Sequence, residues 1–118
     1  MASEPIRPPL YGTDDRGNPV VRVKLAGLEY HALIDVADYE TLIARGVSPN
    51  WSFDGRFVRA GFRPFNTQRI ARLIMDPPKD HHVRHRNGNA LDLRRENLFL
   101  MQVKRHPKPT LTGQQRPL

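Results

Sequence analysis

The sequence predicts an α+β fold of β-hairpins and short helices, and three local patterns carry that prediction. Residues 19–25 alternate apolar and basic side chains, as a strand with one buried face does, and a second short apolar run follows an Ala-Gly pair. The Asp-Gly pair at 54–55 stands between aromatic and β-branched residues, a strong local signal for a hairpin. The two helical patterns, at 36–44 and 68–75, are both short.

The front of the chain reads as an arm followed by a β-β-α unit. Residues 1–18 are dense in Pro, Gly, Asp and Asn, which predicts a flexible arm without regular structure. Strands are expected at 19–25 and 29–34. A helix at 36–44 should follow, with Asp35 as its N-terminal cap and Gly46 as its stop.

The middle and end of the chain predict a second hairpin, a brief helix and two more strands. The hairpin covers 51–60, and its Trp51, Phe53 and Phe57 are expected in the core rather than on a stacking platform. The brief helix ends at Pro77-Pro78.

Strands are then expected at 81–85 and 97–102, separated by a turn at Asn87-Gly88-Asn89 and a loop. We therefore place one α+β domain at 19–106 and an irregular, proline-containing tail at 107–118.

Composition restricts the chemistry. A chain of 118 residues has room for one modest core, and the absence of cysteine excludes disulfides and thiolate zinc sites. Any metal would have to bind His, Asp or Asn side chains. No segment resembles a signal peptide or approaches the length of a membrane span, so a cytoplasmic protein without a membrane partner is expected.

Charge is distributed unevenly along the chain. Residues 1–55 carry 5 basic and 8 acidic side chains, a net of −3, whereas 56–118 carry 14 and 4, a net of +10. Arginine outnumbers lysine in the basic half, which suits bidentate contacts to phosphate and base edges. Nucleic acid is therefore the favoured partner, although ordinary solubility also accounts for surface charge.

Three segments of the basic half resemble a known family pattern. They are ARLIMDPPK at 71–79, VRHRNGN at 83–89 and LDLRRENL at 91–98. Together they are similar to the pattern H-R-L-I-M-x-x-P, V-D-H-x-N-G-N-x-L-D-N-R-x-x-N-L of the HNH (ββα-metal) endonucleases of phage and homing-endonuclease type. The spacing matches without a gap, and the resemblance covers roughly 30–106.

The resemblance implies a site for phosphodiester hydrolysis. It implies that the chain ends in a ββα-metal core that binds Mg²⁺ or another divalent metal against the scissile phosphate. By the same resemblance His85 is the general base that activates water, Asn97 holds the loop and the histidine ring, and His106 is a metal ligand.

Three departures from the family pattern argue against cleavage. Arg84 stands where the family has a metal-binding aspartate, and a guanidinium cannot coordinate a cation. Pro107 and Pro109 interrupt the last helix, so that helix should be truncated or missing. Ala71 replaces a family histidine.

Substitute metal ligands are conceivable but have an inert alternative. His82 lies two residues before Arg84 on the same strand face, and Asp80 or Asp92 could also contribute. His81 and His82 are better explained as surface residues at a strand entry than as metal ligands. If the site is inactive, no cofactor is expected.

Three functional hypotheses follow. The first is a catalytically degenerate HNH-like protein that binds nucleic acid, DNA in preference to RNA, in the cytoplasm of a bacterial or phage-infected cell. Its proposed phosphate contacts are Arg72, Lys79, Arg84, Arg86, Arg94, Arg95, Lys104 and Arg105. The second is an active metal-dependent DNA nickase or endonuclease with His85 as base. The third is a regulator or inhibitor whose basic face binds a protein partner.

Overall fold

The computed structural model describes residues 8–103 and confirms the α+β class, with three small antiparallel sheets and two short helices. Within 8–103, no helix is both long and apolar enough to cross a membrane. The elements are β1 (Leu10–Thr13), β2 (Pro19–Lys24), β3 (His31–Asp35), α1 (Val36–Ala44), β4 (Ser52–Phe53), β5 (Val58–Phe62), β6 (Phe65–Arg69), α2 (Ile70–Met75), β7 (His81–His85), a 3-10 turn (Arg95–Asn97) and β8 (Leu98–Gln102).

The front sheet has the strand order β1-β2-β3, and α1 follows it directly. The β2–β3 hairpin and α1 confirm the predicted β-β-α unit. Gly46, at a φ of 101°, takes the left-handed conformation that ends a helix. Asp35 occupies the predicted N-cap position of α1, but its carboxylate makes no cap hydrogen bond to the helix and instead accepts one from the Arg95 backbone N–H at 3.0 Å.

The prediction of an arm without regular structure is wrong for Leu10–Thr13, which forms β1 at the edge of this sheet. The turn residues that suggested an arm instead build the β1–β2 connection. Asp14 Oδ1 accepts hydrogen bonds from the backbone N–H groups of Arg16 and Asn18, each at 2.9 Å. The rest of the predicted arm, residues 1–7, and the predicted tail at 107–118 lie outside the described residues.

The second sheet has the order β4-β5-β6. Its first hairpin confirms the Asp-Gly signal, since Asp54 Oδ1 accepts from the N–H groups of Arg56 and Phe57 at 2.8 Å. The strand β6 was not predicted, because FNTQR has no buried face and reads as polar turn sequence. The brief helix α2 begins at Ile70, two residues later than predicted, and ends at Met75, after which Asp76 adopts the left-handed conformation.

One hydrophobic core joins all three sheets. Trp51 is fully buried, packs 5.8 Å from the Tyr39 ring, and donates an indole N–H hydrogen bond of 2.9 Å to the Ser48 carbonyl. Leu93 and Leu98, from the last third of the chain, bury their side chains in the same core. The final strand pair is therefore not an independent unit, because its buried apolar side chains share one core with the earlier elements.

We expect Trp51→Ala to lower the free energy of unfolding by about 3–5 kcal/mol, because it removes a large fully buried side chain and leaves a cavity. Urea denaturation followed by circular dichroism measures the change. Tyr30→Ala is the control, since Tyr30 is 64% exposed and its loss should change stability by less than about 0.5 kcal/mol. Equal effects of the two substitutions would contradict this description of the core.

Candidate functional site

The strands β7 and β8 form an antiparallel pair in which His81 faces Gln102 and His85 faces Leu98. Both strands were predicted. The predicted limits of β7 agree with the structure, and β8 begins one residue later than predicted, at Leu98. Between them runs the loop 86–97, which reverses at Gly88 with a φ of 75°. This strand-loop-strand unit carries Arg84 and His85 as consecutive residues at the end of β7.

A buried asparagine holds the loop together. The side-chain oxygen of Asn97 accepts a 3.0 Å hydrogen bond from the Asn87 backbone N–H. Its amide nitrogen donates to the Asn87 side-chain oxygen and to the Asp92 carbonyl, both at 3.0 Å. Because three of its hydrogen-bonding positions are used at 6% exposure, Asn97 fixes the loop immediately after His85. This geometry fits the loop-holding part of the role that the resemblance implies; its effect on the histidine ring stays a prediction.

A second buried polar group, the carboxylate of Asp92, forms an ion pair with Arg94. Arg94 donates to both carboxylate oxygens of Asp92, at 2.8 and 2.7 Å, and Asn87 Nδ2 donates at 3.1 Å. Burial opposes ionisation of Asp92, but these hydrogen bonds outweigh it and lower the pKa of the carboxyl group. The same contacts raise the pKa of Arg94, so the pair stays charged at neutral pH.

Arg94 also connects the loop to the front sheet. Its third nitrogen lies 3.1 Å from Asp14 Oδ2 in the β1–β2 turn and 3.2 Å from Glu96 Oε2. The backbone of β3 supports the same loop, because Leu33 donates to Leu91 at 2.8 Å and accepts from Leu93 at 2.6 Å. The loop beside His85 is thus fixed by contacts that are distant in sequence.

His85 lies in an environment that favours the neutral imidazole. Its Nε2 atom is buried and, within residues 8–103, has no hydrogen-bond partner. Burial lowers the pKa of His85 below 6.5, and the nearby Asp92 carboxylate offsets part of that shift. A neutral histidine at pH 7 has the protonation state that a general base requires.

Beside His85 opens a cleft of about 610 Å³. Its walls come from the β4–β5 turn, the β6–α2 junction and β7. The lining residues are Arg56, Phe57, Arg69, Ala71, Arg72, His82, Val83, Arg84 and His85. The three positions that the family pattern gives to a histidine, an aspartate and the base, here Ala71, Arg84 and His85, therefore meet in one place. We call this feature the arginine cleft.

The arginine cleft concentrates positive charge. The guanidinium of Arg69 stacks 3.8 Å from the Phe57 ring centroid, and that of Arg56 lies 5.4 Å from the same ring. Burial lowers the pKa of Arg69, and its neighbours Arg59, Arg72 and Arg56 lower it further by repulsion. Arg59 is 2.9 Å from Asp54 Oδ2, although the pair is not aligned as a hydrogen bond. Clustered like charges repel one another, so a bound anion would stabilise this surface.

The described residues do not fit a divalent metal. Residues 8–103 contain no group of three or more His, Asp or Glu side chains placed to hold one. His82 and His85 line the cleft with four arginines and without a carboxylate, and guanidinium groups repel a cation. Both carboxylate oxygens of Asp92, considered above as a substitute ligand, accept hydrogen bonds from Arg94. The predicted ligand His106 lies outside the described residues.

Six of the eight predicted phosphate contacts lie in the described part of the chain, and they fall into three groups. Arg72 and Arg84 line the cleft, while Arg86 packs 4.9 Å from the Phe99 ring and Lys79 lies outside the cleft lining. Arg94 and Arg95 have structural partners instead, since Arg95 pairs with Asp38 at 2.8 Å. The Arg95 side chain is still 59% exposed and that of Arg94 is 15% exposed, so their contact with phosphate stays a prediction. Lys104 and Arg105 lie outside the described residues.

Sequence reasoning missed two cleft arginines and misplaced one aromatic residue. Arg56 and Arg69 lie outside the segments that resemble the family and come from a turn and an unpredicted edge strand. Phe57, predicted in the core, is half-buried under two guanidiniums. The signal available in the sequence was the run of arginines at 56, 59, 63, 69 and 72.

Residues 76–107 match the family model described as HNH endonuclease. This segment is therefore similar to the HNH endonuclease family. It contains β7, the asparagine loop and β8, and covers about a quarter of the chain. Members of the HNH family act on nucleic acid, generally with a divalent metal. Among curated proteins and among solved structures, the comparisons found no significant match.

We expect Arg94→Ala to lower the free energy of unfolding by about 3 kcal/mol, because it leaves the buried Asp92 carboxylate without its charge partner. Urea denaturation at neutral pH gives the value. Arg16→Ala is the matched control, since the exposed Arg16–Glu96 pair at 3.7 Å should contribute less than about 1 kcal/mol. If Arg94→Ala destabilised the protein no more than Arg16→Ala, the Arg94–Asp92 pair would not be the stabilising interaction described here.

His85 should titrate below pH 6.5 in the folded protein, as NMR of the imidazole protons can measure. Because the unfolded chain then binds this proton at higher pH, stability should fall as the pH drops below about 6.5 and stop falling below the folded-state pKa. Above about pH 6.5 the group contributes nothing to the pH dependence. His85→Ala should remove this part of the slope, and an unchanged slope would argue against a desolvated imidazole.

Proposed function

We propose that this chain is an HNH-endonuclease-like protein that binds nucleic acid in the arginine cleft without cleaving it. One observation supports the proposal above the others: the cleft beside His85 is lined by four arginines, and one of them, Arg84, stands at the position of the metal-binding aspartate. A guanidinium there interacts with a phosphate directly instead of through a metal. The protein would keep its affinity for nucleic acid and lose the ability to cleave it.

Charge and geometry agree with a phosphate ligand. Arg56, Arg72 and Arg84 are solvent-exposed and therefore reachable, and Arg69 is held in place on Phe57. A divalent metal would gain nothing from these groups, whereas the phosphates of a nucleic-acid strand offer several acceptors within one cleft. DNA is proposed over RNA because the resemblance is to DNA-cleaving phage and homing endonucleases.

A second candidate is an active metal-dependent nickase. It is favoured by the neutral, partly buried His85, which has the protonation state of a base, beside the loop held by Asn97. In this alternative His85 would accept a proton from the attacking water, and His106 would contribute to metal binding. The nickase ranks second to nucleic-acid binding without cleavage, because the described cleft residues repel a cation.

Binding should depend steeply on salt. With about four phosphate contacts, affinity for DNA should fall roughly 100-fold between 50 and 200 mM salt. Arg84→Ala should weaken binding and reduce the salt slope by about one unit. Fluorescence anisotropy with labelled DNA in EDTA measures both. Arg22→Ala is the control, because it removes the same charge from β2, outside the cleft lining.

Cleavage is tested on supercoiled plasmid in Mg²⁺, Mn²⁺ or EDTA. The wild-type chain and His85→Ala should both leave the plasmid intact, while Ala71→His/Arg84→Asp, which restores two family side chains, should gain metal-dependent nicking. Nicking by the wild type that His85→Ala abolishes would establish the second candidate and overturn the first. A salt-tolerant stoichiometric complex with a protein, without nucleic-acid binding, would instead favour a regulator.

A further inference from the structure

A pair of phenylalanines lies on the outer end of the β5–β6 hairpin. The Phe62 and Phe65 ring centroids are 5.4 Å apart at an interplanar angle of 48°, and Phe65 is 60% exposed. Phe62 is fixed by a backbone bridge to Val47, next to the end of α1. One aromatic ring is thus held in place beneath a second ring that faces solvent.

This pair lies at the end of a path of arginines that begins in the cleft. Arg72 lines both the arginine cleft and a second depression of about 280 Å³, and Arg45 lines that second depression. The Arg45 guanidinium lies 5.4 Å from the Phe62 ring centroid. The second depression also contains Asp38 and Asp76, but Asp38 is paired with Arg95.

The distance along β6 between Phe65 and the arginine cleft is short enough for one nucleic-acid strand to contact both. Phe65 and Arg69 are four residues apart on β6, or about 13 Å at the usual rise of a strand. Nonspecific single-strand binding surfaces combine a positive groove for the backbone with aromatic rings on which bases stack. The bases of an intact duplex are already stacked on each other and offer no free face to an exposed ring.

We propose that Phe65, supported by Phe62 and Arg45, stacks on an unpaired base of a strand whose phosphates occupy the arginine cleft. The protein would therefore prefer single-stranded or locally unpaired nucleic acid to intact duplex. This inference rests on the proposed nucleic-acid binding of the same cleft and adds the class of substrate. It assigns a function to residues outside the HNH segment.

Fluorescence anisotropy tests the inference with a labelled oligonucleotide of about 12 nucleotides, used alone and annealed to its complement. The single strand should bind the full chain more tightly. Phe65→Ala should weaken single-strand binding by about 5- to 150-fold, leave duplex binding unchanged and leave the salt slope unchanged, because stacking does not neutralise phosphate. Arg84→Ala, by contrast, should weaken both.

Two further variants separate stacking from a purely structural role of the ring. Phe65→Tyr keeps an aromatic face and should keep the affinity, whereas Phe65→Leu keeps an apolar cover over Phe62 and should lose it. Tyr30→Ala is the control, since Tyr30 is an equally exposed aromatic residue on the β2–β3 turn. A 2-aminopurine placed in the strand should change its fluorescence on binding to the wild type and not to Phe65→Leu.

The outcomes distinguish this inference from the function on which it rests. Salt-dependent binding of both nucleic acids with equal affinity, unaffected by Phe65→Ala, would overturn the stacking role and leave the cleft assignment intact. Retained affinity in Phe65→Leu would overturn it in the same way, since an apolar cover alone would then suffice. No binding to either form would overturn both proposals.

Discussion

The ion pair between Arg94 and Asp92 is the interaction on which the candidate site depends most. Asp92 is buried and would be costly to ionise there, but Arg94 and Asn87 satisfy both of its oxygens. The same arginine reaches Asp14 in the front sheet. The loop that follows His85 is therefore positioned by a charge network that spans the chain, and not by the conformation of the loop alone.

This arrangement explains why a short HNH segment can exist without a helix of its own among the described residues. Leu93 and Leu98 are buried in the core shared with the front of the chain, α2 contacts β8, and β3 supplies backbone hydrogen bonds to the loop. The part of the chain before residue 76 thus provides the core that the segment lacks. It also provides Arg56, Arg69 and Arg72, so the segment and its support share the proposed ligand.

Arg84, which stands where the family pattern has a carboxylate, places its charge in the cleft as a whole and not only at one position. With four arginines lining the cleft, its field attracts an anion and repels a divalent cation. The imidazole is kept neutral by burial, so it does not add to the charge at pH 7. Binding and hydrolysis make opposite demands on such a cleft, and the arginines favour binding.

The sequence by itself determined most of the local elements and the similarity of residues 76–107 to the HNH endonucleases. Alternation predicted β2, the Asp-Gly pair predicted the β4–β5 hairpin, and the spacing around His85 and Asn97 predicted the strand-loop-strand unit, because each signal acts over a few residues. Only the tertiary structure decided which charges are free. Arg94 and Arg95 have no predicted partners in the sequence but pair with Asp92 and Asp38, whereas Arg56 and Arg69 line the same cleft as His85, Arg69 through the unpredicted β6. Ion pairing depends on partners up to 80 residues apart, which no local pattern contains.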